Sequence, residues 1–146
     1  MTATRPHCLV IGVGAGTGLA CVRRFVEGGY KVSMLARHEA RLQSFADEIA
    51  HTTAYAADIS DLDNYRAVLR KIVAEQGLPK MVVYNAALAT LAPYNELDTE
   101  LFERNFRVNT PGLLVTAQEL AADMISAGGG ALVVTGNTGA TRGIPS

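Results

Sequence analysis

The sequence predicts an α/β fold in which a parallel β-sheet is covered by helices on both faces. Short apolar segments of strand length alternate along the chain with longer segments of helical periodicity. The strand segments are continuously apolar, which is typical of strands buried on both faces of a sheet. A run of alternating glycines follows the first strand segment and precedes a helical one, as expected at a tight strand-to-helix turn.

These patterns predict about five strands, at residues 8–13, 31–36, 53–57, 81–84 and 131–135. Between the second and third strands, apolar residues recur at i, i+3, i+4 and i+7 from Leu42, which predicts a helix with one buried face. A similar stripe starts at Leu62, and the region 97–127 is long enough for two helices. The glycines at 128–130 predict a helix stop before the last strand.

Composition limits the classes of function. The chain has 146 residues, of which 49% are hydrophobic, and this predicts a single globular domain over residues 1–146. A formal net charge of -1 and scattered charges argue against nucleic acid as a partner. No apolar segment is long enough to span a membrane, so we do not predict a membrane partner. Cys8 and Cys21 have no CxxC spacing, so we predict neither disulfides nor a metal site and expect a cytoplasmic location.

The turn after the first predicted strand carries the most informative motif. Its glycines follow the pattern Gly12-xxx-Gly16-x-Gly18, with a further glycine at position 14. Such a turn brings backbone N–H groups and the positive end of a helix to one point, where a pyrophosphate fits without a side chain in the way. The alternative is a flexible turn without a ligand, but the position between a strand and a helix favours a nucleotide.

Four motifs occur in the order found in one known family. They are Ile-Gly-Val-Gly-Ala-Gly-Thr-Gly at 11–18, Ala57-Asp58-Ile59, Asn85-Ala86-Ala87 and Val108-Asn109. With them the chain resembles the short-chain dehydrogenase/reductase family, whose cofactor loop reads TGxxxGxG. It departs from the family at Ile11, which replaces a threonine, and at Ala87, which replaces the last glycine of NNAG. The resemblance implies a Rossmann-like, doubly wound sheet of order 3-2-1-4-5 that lacks the family's C-terminal strands.

The resemblance also implies a set of cofactor-binding residues. Besides Arg37, treated next, the set comprises Gly12, Gly14, Ala15, Gly16, Thr17, Gly18, Asp58, Ile59, Asn85, Ala86 and Ala87. In the family, Asp58 would bond the adenine, Asn85 would line the ribose side, and Asn109 would hold a water of the proton relay. Each has a structural alternative: a cap of the third helix for Asp58, a self-satisfied turn for Asn85, and a kink before Pro111 for Asn109.

The end of the second predicted strand indicates which nicotinamide cofactor binds. An NAD-selective site usually places an acidic residue there for the ribose 2′-hydroxyl, whereas a 2′-phosphate needs a cation. Here Ala36 stands in the place of the acid, and Arg37 follows it with a guanidinium suited to phosphate. We therefore predict NADP rather than NAD, the alternative being that Arg37 lies at a solvated helix entrance.

The catalytic residues are where the sequence departs most from the family. The family uses a tyrosine with a lysine four residues later, and a serine that polarises the carbonyl. None of the five tyrosines here has a lysine at that spacing. Asn137 stands at the position of the serine and Thr138 follows it, so these two residues and Asn109 are the catalytic candidates.

We therefore interpret the chain as the first part of a longer, C-terminally truncated enzyme. The expected activity of the whole is NADP-dependent hydride transfer to or from a small carbonyl or alcohol substrate, in a homo-oligomer. The chain alone should be nearly inactive, with a bare apolar surface in the region 102–127 and a self-pairing fifth strand. The alternative is a non-catalytic dinucleotide-binding module or an inactive fragment.

Overall fold

The computed structural model describes residues 4–137 and residue 141. The strands are β1 (His7–Ile11), β2 (Lys31–Ala36), β3 (Thr52–Ala56), β4 (Met81–Tyr84) and β5 (Ala131–Val134). The helices are α1 (Thr17–Glu27), α2 (Glu39–Glu48), α3 (Leu62–Gln76), α4 (Thr99–Asn109) and α5 (Pro111–Ser126). All strand pairs are parallel, and the sheet order is β3-β2-β1-β4-β5, which confirms the predicted fold class and topology.

Helices cover both faces of the sheet, as the continuous apolar strands predict. Alternate residues of β1 enter different cores: Cys8 and Val10 pack with Val22 of α1 and Leu42 of α2 on one face. Leu9 and Ile11 lie in the core on the other face, which also contains Tyr65, Leu69 and Ile72 of α3, Val108 of α4, and Val115, Leu120 and Met124 of α5. Burial on both sides fixes the register of β1, the central strand, and therefore the point at which it ends.

β1 ends two residues earlier than the sequence predicts. Ile11 lies opposite Leu35 of β2 on one side and Tyr84 of β4 on the other, and the chain then turns at Gly12 with a φ of +88°. Val13 is buried, which explains why its apolar side chain extends the sequence pattern beyond the strand. The carboxyl ends of three strands consequently meet at one level of the sheet.

The long helical region of the sequence is two helices, as predicted, separated at Thr110. Pro111 occupies the first turn of α5, where its missing N–H costs nothing. The Tyr84 hydroxyl donates to the Val108 carbonyl at 2.5 Å, and a Cβ atom at Gly112 would lie 2.5 Å from that hydroxyl. The break therefore lies against the sheet, directly beneath the end of β4.

Apolar side chains remain exposed on several elements of the described part of the chain, among them β5 and α4. On β5, which pairs with β4, Leu132, Val133 and Val134 are 38%, 49% and 47% exposed. On α4, Phe102 and Phe106 are each more than half exposed, which confirms the bare surface expected there. No helix within the described residues is long and apolar enough to cross a membrane.

Candidate functional site

A cleft of about 230 Å³ lies at the carboxyl ends of β1 to β4. It occupies the point where the strand order reverses, since the chain proceeds from β1 to β2 and β3 on one side and to β4 and β5 on the other. Ligands of open α/β sheets bind at this switch point. The lining residues are Gly12, Val13, Gly14, Ala36, Arg37, His38, Arg41, Ala57, Asp58, Ile59, Asn85, Ala86, Ala87, Leu88 and Val108.

The glycines of the loop fall into two classes. A Cβ atom at Gly12 would lie 2.3 Å from the backbone nitrogen of Ala86, and one at Gly18 would lie 2.5 Å from the carbonyl oxygen of Gly12. At Gly14 and Gly16, by contrast, a Cβ atom would meet nothing within 4 Å. Packing within the protein therefore requires two of the glycines, whereas the other two border open space.

Asn85 connects the end of β4 to this loop. Its side-chain nitrogen donates to the carbonyl of Gly12 at 2.9 Å, and its backbone nitrogen donates to Ile11 at 2.8 Å. The amide thus bonds across the switch point rather than to its own backbone, so the turn alternative is wrong for this residue. Asn85 therefore joins the end of β4 to the end of β1 and the glycine loop, where these segments line the cleft.

The start of α1 faces the same loop. Its N-cap is Gly16, which provides no side-chain hydrogen bond, and the first turn, which includes the predicted cofactor residue Thr17, contains no acidic residue. The partial positive charge of the helix end is therefore not neutralised by a local carboxylate, and an anion in the cleft would gain from it.

The end of β2 and the first turn of α2 supply positive charge to the cleft. Arg37 and Arg41 both line it, four residues apart, and neither forms an ion pair with any described residue. Ala36 occupies the position at which an acidic residue would face a ribose hydroxyl. His38 and Arg41 also line the cleft but were not among the predicted site residues, although the i, i+4 spacing from Arg37 was a signal for Arg41.

Asp58 lines the cleft beyond β3 and is held by two residues. Its Oδ1 accepts from the backbone nitrogen of Ser60 at 2.9 Å and from its hydroxyl at 2.7 Å, while Oδ2 accepts from Arg104 at 2.8 Å. Partial burial acts to raise the pKa of Asp58, but the bonds from Ser60 and Arg104 outweigh it and lower the pKa below its usual value. The capping alternative for Asp58 is wrong, because Asp61 caps α3 by accepting from Asn64.

Asn109 ends α4 and holds the loop that follows β4. Its side-chain oxygen accepts from the backbone nitrogen of Leu88 at 2.9 Å, and its nitrogen donates to the carbonyl of the same residue at 2.7 Å. The helix break before Pro111 matches the kink alternative. Both polar atoms of the amide thus bond to Leu88, which lines the cleft, and each keeps capacity for a second hydrogen bond.

The remaining catalytic candidates lie after β5. Asn137 is exposed, and Thr138 is outside the described residues. Thr135 extends the pairing of β5 by donating its backbone N–H to the carbonyl of Tyr84 at 3.0 Å.

Burial raises the pKa of the Tyr84 hydroxyl to about 12 and also raises the pKa values of Tyr55 and Tyr65, which makes all three poor proton donors.

The sequence matches a known protein family over nearly its whole length. The family model described as short chain dehydrogenase matches residues 6–146. The chain belongs to the short-chain dehydrogenase family. D-erythrulose reductase from Gallus gallus is 33% identical over 122 residues, covering 84% of this chain and 48% of the relative.

Solved structures of short-chain dehydrogenases share the fold. A 3-ketoacyl-(acyl-carrier-protein) reductase from Brucella melitensis, complexed with NADH, is 27% identical with a TM-score of 0.88, over 97% of this chain and 61% of the other. A gluconate 5-dehydrogenase from Burkholderia cenocepacia, in complex with NADP and tartrate, is 24% identical with a TM-score of 0.84, over 97% and 57%, and shows the fold alone. The chain spans about half the length of the curated relatives it matches.

The two classes of glycine predict different effects of adding one methyl group. We expect Gly18→Ala to destabilise the fold by about 1–3 kcal/mol, because the added carbon meets backbone that cannot move aside. The matched variant Gly14→Ala should change stability by no more than about 0.5 kcal/mol, because its methyl group enters open space. Urea denaturation followed by circular dichroism measures both, and equal stability of the two variants would contradict the assignment.

Proposed function

We propose that this chain is the cofactor-binding part of an NADP-dependent oxidoreductase that transfers hydride between the nicotinamide and a small carbonyl or alcohol substrate. The observation that carries the proposal is the combination, in one cleft, of a glycine loop with two positions open to a ligand and two arginines that form no ion pair within the described residues. A family member of this kind needs both features, one for the pyrophosphate and one for the 2′-phosphate.

The residues present fit this cofactor. The backbone around Gly14, Ala15 and Gly16, with the uncapped start of α1, would hold the pyrophosphate. Arg37, assisted by Arg41, would bind the 2′-phosphate, since a guanidinium makes paired hydrogen bonds to phosphate oxygens. The cofactor, when bound, supplies the hydride chemistry.

The rest of the cleft would hold the nucleoside parts. We propose that Asp58 and Ile59 contact the adenine, while Asn85, Ala86 and Ala87 line the ribose side. Asn109 would contribute indirectly, because it fixes Leu88 at the edge of the cleft. Asn137 and Thr138 stay as the predicted replacements for the family serine.

The second candidate function is a dinucleotide-binding module without turnover. It is favoured by the absence of any Tyr-xxx-Lys segment in these 146 residues and by the raised pKa values of the buried tyrosines.

The exposed Phe102 and Phe106 on α4 support a homo-oligomer for the whole enzyme, since apolar patches of this kind mark protein interfaces. A cytoplasmic location stays a prediction from the cysteine pattern.

Replacing Arg37 tests the cofactor preference. We expect Arg37→Asp to weaken NADPH binding by about 5- to 150-fold, equivalent to roughly 1–3 kcal/mol, and to leave NADH binding nearly unchanged. Arg107→Asp, the same charge change at an exposed position outside the cleft, is the control. Fluorescence titration with both cofactors measures the effect, and equal losses for NADPH and NADH would remove the argument for a 2′-phosphate site.

Assays of the 146-residue chain test the two candidate functions. We expect NADPH binding without measurable reduction of aldehydes or ketones, because general acid catalysis contributes roughly 10²- to 10⁴-fold and the family's acid is missing from this sequence. The panel should include polyhydroxy ketones, given the D-erythrulose reductase relative. Steady NADPH consumption that depends on a carbonyl substrate would show that another group in the chain donates the proton.

A further inference from the structure

The carboxylate of Asp58 is held unusually firmly for a group at the edge of a ligand cleft. Ser60 supplies two donors to Oδ1, and Arg104 supplies one donor to Oδ2. Bonds to both oxygens fix the plane of the carboxylate, because rotation about its terminal torsion would break at least one of them. The remaining acceptor capacity of the group therefore has a defined direction.

The carboxylate of Asp58 keeps one free acceptor site. An ionised carboxylate offers about four acceptor sites, two on each oxygen. Oδ1 already accepts two hydrogen bonds, and Oδ2 accepts one, so a single site remains on Oδ2, the oxygen that Arg104 holds. A ligand N–H would have to use that site.

Arg104 comes from a distant part of the chain. It lies on α4, 46 residues beyond Asp58, and it does not line the cleft itself. The last residue of the same helix, Asn109, holds Leu88 at another edge of the cleft. Through the side chains of Arg104 and Asn109, α4 thus makes polar contacts with two lining segments, those that follow β3 and β4.

We infer that Arg104 is a positioning residue for the adenine end of the site, holding Asp58 so that the free acceptor site of Oδ2 receives the 6-amino group of adenine. This inference rests on the proposed function, in which Asp58 faces the adenine. The side chains of Arg104 and Asp58 are 43% and 37% exposed, and ion pairs with this much exposure contribute little to stability. We therefore expect Arg104 to affect ligand recognition rather than the stability of the fold.

The experiment compares NADPH with its hypoxanthine analogue, in which a 6-oxo acceptor replaces the 6-amino donor. The wild-type chain should prefer NADPH, and Arg104→Gln should reduce the ratio of the two dissociation constants by about fivefold, the worth of roughly one hydrogen bond. Asp58→Asn should reduce the preference as well, and Arg104→Lys should retain part of it. Arg107→Gln, on the same helix and outside the cleft, should leave the ratio unchanged.

The outcomes separate the inference from the proposed function. If the wild-type chain binds neither dinucleotide, the proposed function is wrong and the inference falls with it. If it binds NADPH but Arg104→Gln leaves the adenine preference intact, or weakens both dinucleotides equally, only the inference is wrong. Urea denaturation of Arg104→Gln should give the wild-type midpoint, and a large loss of stability without a change in preference would assign Arg104 a purely structural role.

Discussion

The backbone at Gly12 passes so close to the backbone at Ala86 that no side chain fits between them, and much of the site depends on this contact. It ends β1 at the level where β2 and β4 also end, and it places the glycine loop over the switch point of the sheet. Asn85 reinforces it by bonding the Gly12 carbonyl, and Gly18 lets α1 start directly against that carbonyl. A side chain at either glycine would separate the loop from β4 and open the cleft.

The two ends of the cleft differ in charge and in the hydrogen-bonding groups that they offer. The glycine loop and the end of β2 offer backbone amides, a helix N-terminus and two arginines, so this part of the cleft is positive and suits phosphate. Asp58 offers a carboxylate whose donors have already fixed its orientation, and that end suits a neutral group with an N–H donor. This arrangement of charge supports the proposal of a dinucleotide with a phosphorylated ribose.

The sequence predicted the sheet well because each strand is buried on both faces and therefore reads as an apolar run. It misplaced the end of β1, since Val13 is also buried. The turn is set by a contact with Ala86, which lies 74 residues from Gly12 along the chain, and not by a local pattern. The capping alternative for Asp58 failed because Asp61 fits the same local rule three residues later. The bonds from Arg104 to Asp58 and from Asn109 to Leu88 join separate elements, and no periodicity within one segment reveals them.

We propose that the cleft at the switch point binds NADP through the glycine loop and the end of β2. A titration of the isotope-labelled chain with NADP, followed by backbone amide NMR, tests it most directly. We expect the largest changes in chemical shift at Gly14, Gly16, Arg37 and Asp58, with little change along the exposed outer side of α4. Changes centred on the groove lined by Phe102 and Phe106, or no saturable change at all, would contradict it.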